Sequence, residues 1–346
     1  MALFSRRDKG DPRTPDPAVP ADEASAVVDA SGDSAPVGDD VAAVTSPPEP
    51  VPHVGISVST FGQAAARPAE SAPASASRPV ATAPAPSQTL PGVADNTLLQ
   101  AALRALPEKV QSAEVMNVMR QTLQGQLYVR AQGDAPALLA AGKGLNLAIT
   151  THQDKRFLLV FSGGGPLQAS ARAEGTDGTS AIGQPAHAVL RTAVDSGYDG
   201  IYLDHAAEGA RLVLPIELIA KALDEGPPVP FELKALLAGE RDDATPAAVA
   251  DALTRAPVWV AGGMDAAGQI GLAEARSEGR RLLEVYSHPL EVIAMGRGDR
   301  PLPLTPEQLA KTLASAPALT GVILDAAGPW IEVDRATLAP VLALAD

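Results

Sequence analysis

"TGVILDAAG" at residues 320–328 repeats, with small changes, "DGIYLDHAAEG" at residues 199–209. Within each phrase a Gly is followed by three apolar residues and then Asp. That is the pattern of a strand covered on both faces, with Asp204 or Asp325 at its carboxyl end. The echo extends in both directions. Upstream, "RFLLVFS" at 156–162 answers "RLLEVYS" at 281–287, and both lead to Pro-Leu followed by Gln168 or Glu291. "GQPAHAVLRTAV" then matches "LTPEQLAKTLAS", with Pro185 and Pro306 placed as first helical residues, where a missing N–H loses nothing. Downstream, "RLVLPIELIAKAL" matches "WIEVDRATLAPVL". At the front, "TPAAVADALTRAPVWVAG" at 245–262 supplies a helix and the strand that answers "QLYVRAQ" at 126–132.

Matched order over about 120 residues reads as a tandem duplication. Each unit predicts a helix, three strands, a short irregular or helical link, a strand, a helix, two strands and a final helix. Several strands are consecutive and others are separated by helices, so the fold class is α/β (α+β). Each unit carries a mixed sheet with flanking helices. The expected boundaries are an arm over 1–92, a first unit over 93–225, a connector over 226–244 and a second unit over 245–346. Within the connector, "FELKALLAG" can form one or two helical turns. Ahead of the first unit, "ADNTLLQAALRAL" presents Leu98, Leu99, Ala102, Leu103 and Leu106 on one stripe, with Asp95 or Asn96 as its cap.

This pattern resembles the SseB family, named for enhanced serine sensitivity, in the form of tandem copies of its N-terminal-type domain. The features that carry the resemblance are Phe161-Ser162 and Tyr286-Ser287 after basic strands, the Gly-apolar-apolar-apolar-Asp phrase, and Gly328-Pro329 behind it. It covers roughly residues 94–346. Two departures stand out: Ala210 follows Gly209 in place of proline, and Thr320 stands where the family often has Asp. The resemblance implies an α/β module with no established catalytic activity.

The arm over 1–92 is rich in Ala, Pro, Ser and Asp and holds close to half of the 32 prolines, a composition that predicts disorder. One island interrupts it: "HVGISVSTFG" at 53–62, where Val54, Ile56 and Val58 alternate with small polar residues and Phe61 follows. Burying three such side chains yields about 5 kcal/mol, whereas fixing nine backbones costs roughly 9–18 kcal/mol. The stretch therefore becomes a strand only against an existing sheet edge, its own or a partner's.

Composition removes several chemistries. A net charge of −14 argues against a broad nucleic-acid footprint, and the lack of cysteine removes thiol catalysis and Cys-type zinc sites. "MALFSRRDKGD" has basic residues without an apolar stretch behind them, and no apolar run is long enough to span a bilayer. The expectation is a cytoplasmic protein without integral membrane association. The five histidines are scattered, so no metal ligand set is read, and no cofactor motif is present. "SGGGPLQ" at 162–168 lacks the Lys-Ser/Thr of a phosphate cradle and reads as a plain loop.

Asp204 and His205 form the candidate ligand site, with His187, His288 and Glu217 as conceivable partners. The second phrase has Ala326 in place of His205, and no nucleophile, base and orienting group stand at readable spacing, so no catalytic residue is assigned. Asp at a strand end more often closes its own turn. The leading expectation is a non-catalytic adaptor with a protein partner, using Val54, Ile56, Val58 and Phe61 as a docking strand. The alternatives are a metabolite sensor or enzyme at Asp204 and His205, and a structural dimer joined through sheet edges.

Overall fold

The computed structural model describes residues 81–174, 178–228, 230–264 and 270–345. The docking strand expected at 54–61 lies outside the described residues. The described residues form two mixed sheets, each flanked by helices.

The first half opens with α1 (Thr97–Arg104) and α2 (Ser112–Thr122). The side chain of Asn96 caps α1 by accepting the Leu99 N–H at 3.2 Å, and Leu99, Ala102 and Leu103 are its buried stripe. At the start of α2, Glu114 accepts the Gln111 N–H at 2.9 Å. Then follow β1 (Gln126–Gln132), α3 (Ala135–Ala140), β2 (Ile149–His152), β3 (Lys155–Phe161), α4 (Gly164–Glu174) and β4 (Thr179–Pro185). The half closes with α5 (Ala186–Asp195), β5 (Gly200–Leu203), β6 (Leu212–Pro215) and α6 (Ile216–Glu225). Pro185 ends β4 and caps α5 rather than being its first residue.

After α7 (Glu232–Ala238), the second half runs α8 (Thr245–Ala252), β7 (Val258–Met264), β8 (Ile270–Leu272), β9 (Glu274–Ser277) and β10 (Arg280–Tyr286). It continues with α9 (Pro289–Ala294), β11 (Arg300–Leu304), α10 (Pro306–Ser315), β12 (Gly321–Leu324), β13 (Ile331–Asp334) and α11 (Ala339–Leu342). Here Pro306 does stand first in its helix, behind a Thr305–Gln308 capping box.

Strand order is β4-β1-β3-β5-β6 in the first sheet and β11-β7-β10-β12-β13 in the second, the same sequence of positions. The repeated phrases are β5 and β12. Each lies parallel to the strand beside it, β3 or β10, and every other pairing is antiparallel. The leading glycine of each phrase has a steric reason. A Cβ on Gly200 would lie 2.4 Å from the Leu214 carbonyl oxygen, and one on Gly321 would lie 2.3 Å from that of Val333.

Each sheet packs its main core on one face. Leu127, Leu158, Leu190, Ile201 and Leu214 belong to the first core, and Val258, Val285, Leu309, Val322 and Val333 to the second. The opposite faces carry smaller aromatic cores, Tyr128 with Phe161 and Trp259 with Tyr286, each pair facing across adjacent strands. The connector serves both halves: Phe231 enters the first core, and Leu233 and Leu237 of α7 enter the second. Leu290 of α9 also packs into the first core.

Residues ahead of α1 are laid along the body, although their composition assigns them to the arm. The Ala81 carbonyl accepts the Trp330 N–H at 3.1 Å. Thr89 and Ser87 both donate to Asp95. "SGGGPLQ" is not a plain loop: α4 begins at Gly164, a position where a Cβ would lie 2.5 Å from that of Leu90. No helix among the described residues is long and apolar enough to cross a membrane.

Candidate functional site

The carboxyl ends of β5 and β12 carry the same construction. Asp204 Oδ1 accepts the Ser162 N–H at 2.8 Å and Oδ2 accepts the Ser162 hydroxyl at 2.5 Å. Asp325 does the same with Ser287, at 2.7 and 2.5 Å. Neither carboxylate closes its own turn, as the sequence suggested; the turns close through main-chain carbonyls, Ala207 N–H to Asp204 O and Gly328 N–H to Asp325 O. The side chains instead brace the neighbouring parallel strand, fixing the point at which β3 or β10 ends. Both aspartates adopt left-handed backbone, φ 46° and 53°, which Asp tolerates better than most residues.

Burial dominates the electrostatics of both braces. It pushes Asp204 up to about 6, against the lowering effect of the Ser162 bonds and with a further push from the charge of Asp95. Asp325 is likewise raised to about 6 by burial and by Glu291, with Lys234 acting in opposition. A carboxylate that accepts a serine hydroxyl is also the geometry of a base and its nucleophile. Ser162 and Ser287 are 0% and 1% exposed, however, and each hydroxyl is already committed to its aspartate.

Asp204 and His205 are adjacent in sequence but their side chains go separate ways. His205 Nε2 stands 3.0 Å from Glu174 Oε1, between the rings of Phe161 and Tyr202 at 5.8 and 5.9 Å. Glu174 also pairs with Arg130. The other conceivable partners are engaged elsewhere. His187 meets Phe231 edge-on, and Glu217 is exposed on α6. His288 accepts the Leu290 N–H at Nδ1 and faces the Ala222 carbonyl at Nε2, an arrangement for a neutral ring. Burial and the charge of Lys234 lower it to about 4.

Sequence reasoning missed the most buried charged cluster. Glu291 of α9 is 2% exposed and accepts from Arg120 Nη1 of α2 at 2.8 Å and from the ammonium of Lys234 on α7. Arg120 also donates to the carbonyls of Gly328 at 2.8 Å and Ala327 at 3.3 Å, which form the turn behind Asp325. Burial raises the Glu291 carboxyl, but Arg120 and Lys234 outweigh it and hold the group below its usual range. One anion thus ties together first half, connector and second half, directly beside the second brace.

A cavity of about 520 Å³ opens at the connector, with walls that include Pro227, Pro228, Phe231 and Pro257 and with Lys234 and Ser287 among its lining. Both polar groups are engaged, Lys234 with Glu291 and Ser287 with Asp325. Among the described residues no cluster of three or more His, Cys, Asp or Glu side chains could hold a metal ion. Comparison with family models, with curated proteins and with solved structures returned no match.

Proposed function

We propose that this chain is a non-catalytic cytoplasmic protein-binding adaptor, built from two SseB-type units that arose by duplication. The observation that carries the reading is the Ser–Asp brace. It occurs at the same place in both sheets, with the same atoms bonded and both hydroxyls buried, so the best acid/base candidates are committed to holding the fold. The shared strand order and the repeated Gly-to-Asp phrase support the duplication and the family assignment. The absence of cysteine supports a reducing compartment.

A second reading, a small-metabolite sensor at His205, draws on one asymmetry. His205 Nδ1 is buried without a hydrogen-bond partner among the described residues, and the second half has Ala326 there. Thermal shift against metabolite and substrate panels separates the two, because a ligand at a hundred times its Kd adds about 2.7 kcal/mol. The adaptor reading predicts flat shifts and no hydrolysis of ester, amide or phosphate panels. Turnover abolished by Asp204→Ala would overturn it.

A further inference from the structure

The two sheets finish differently on one side. β4 and β11 hold equivalent outermost places, each paired with the first strand of its half. In the first sheet the bonds bracketing that ladder fix which groups face outward: Gly133 N–H donates to Gly178 O at 2.8 Å, and Ala186 N–H to Gly125 O at 3.0 Å. By antiparallel alternation, Ser180, Ile182 and Gln184 bond to β1, while Thr179, Ala181 and Gly183 turn their N–H and C=O groups outward. Among the described residues those three N–H groups meet no partner, and Ala181 and Gly183 are exposed.

The equivalent register in the second sheet places Pro301 opposite Ala261 and Pro303 opposite Trp259, where the first sheet has Ala181 opposite Arg130 and Gly183 opposite Tyr128. Two prolines and Arg300 blunt that edge, since proline has no N–H to offer an incoming strand. "TSAIGQ" of β4 carries neither charge nor proline. The remaining outer strands are poorer receptors. β6 is only four residues long, and the Trp330 N–H beside β13 is already taken by Ala81.

Next to the open edge, Ile182 and Gln184 line a cavity of about 350 Å³ together with Leu139, Val189 and Tyr198, and Leu139 is 59% exposed. A strand added there would set one apolar face toward this cavity and leave the other to solvent. Val54, Ile56 and Val58, alternating with Gly55, Ser57 and Ser59, have that pattern and need an edge to become a strand. About 20 residues separate Phe61 from Ala81, where the described chain begins. At roughly 3.3 Å each they can span up to about 65 Å.

We propose that the outer edge of β4 is a strand-receiving site and that its occupant is the Val54–Phe61 segment of the same chain. The proposal deepens the binding reading, since displacing that segment would expose the same edge to a partner strand. The test is residue-resolved amide exchange by NMR on the full chain at two protein concentrations, wild type beside Ile56→Asp/Val58→Asp. The amides of Thr179, Ala181 and Gly183 should exchange at least about tenfold more slowly in wild type than in the variant, at both concentrations. Ala181→Pro, which copies Pro301, should release protection within 54–61 while the amides of Val160 and Leu203 stay slow. Fast exchange at the three amides in wild type overturns the proposal. So does protection that survives the double substitution, which identifies a second copy if it rises with concentration. Neither result touches the adaptor reading, which a ligand-induced thermal shift or turnover would remove.

Discussion

Replacing Glu291 by Ala removes the anion between two cations, and its effect follows from the geometry. The side chains of Arg120, Lys234 and Glu291 are 9%, 6% and 2% exposed, so bulk water replaces little of the lost partner. Breaking a buried pair by removing one member costs roughly 3–5 kcal/mol. Arg120 keeps the Gly328 and Ala327 carbonyls, so most of the loss falls on Lys234. Removing that stranded charge as well, in Glu291→Leu/Lys234→Met, should restore about 2 kcal/mol relative to the sum of the single substitutions. Urea unfolding at pH 7 measures both. Trp259 and Trp330 lie in the second half and are the chain's two tryptophans, so fluorescence reports that half while far-UV circular dichroism reports both. The two transitions should coincide in wild type and separate in Glu291→Ala. A loss below about 1 kcal/mol, or additive single and double variants, would refute the reasoning.

Asp204→Asn should flatten part of the pH dependence of stability. The folded acid is raised from 3.8 to about 6, so its contribution is best below 3.8 and declines as pH rises to about 6. The wild-type minus variant difference should fall by about 3 kcal/mol across that window; parallel curves would contradict the upward shift. Glu291 has the opposite sign: its pKa is depressed below 4.5, so its contribution is present above 4.5 and is lost as pH falls through the folded value, a component that Glu291→Gln should remove from acid unfolding. Gly200→Ala and Gly321→Ala should each destabilise by about 1–3 kcal/mol or more, and by similar amounts, because each Cβ meets a neighbouring strand's carbonyl. A neutral substitution at either position, measured by thermal unfolding, would contradict the shared steric role.

Much of the fold was readable because its signals are local. Three apolar residues between Gly and Asp mark β5 and β12, and Thr305-Pro306 marks the start of α10. Connections that close over long sequence separations were not readable. Ser162 and Asp204 stand 42 residues apart, in separate local motifs, and meet because β3 and β5 are parallel neighbours. Arg120 and Glu291 are 171 residues apart, and nothing near either one names the other. Glycines carry low helix propensity, yet Gly164 and Gly165 open α4, and just ahead of it a Cβ at Gly163 would lie 2.1 Å from Asp95 Oδ1. The Asp204–His205 pair misled because adjacent residues on a tight turn point to different partners.

The paired brace is tested most directly by following the carboxyl carbons of Asp204 and Asp325 by NMR from pH 3 to pH 8 in one sample. Both should titrate near 6, well above the ordinary 3.8. An aspartate that titrates at or below 3.8 in the folded chain would mean that burial does not dominate its electrostatics, and would contradict the account.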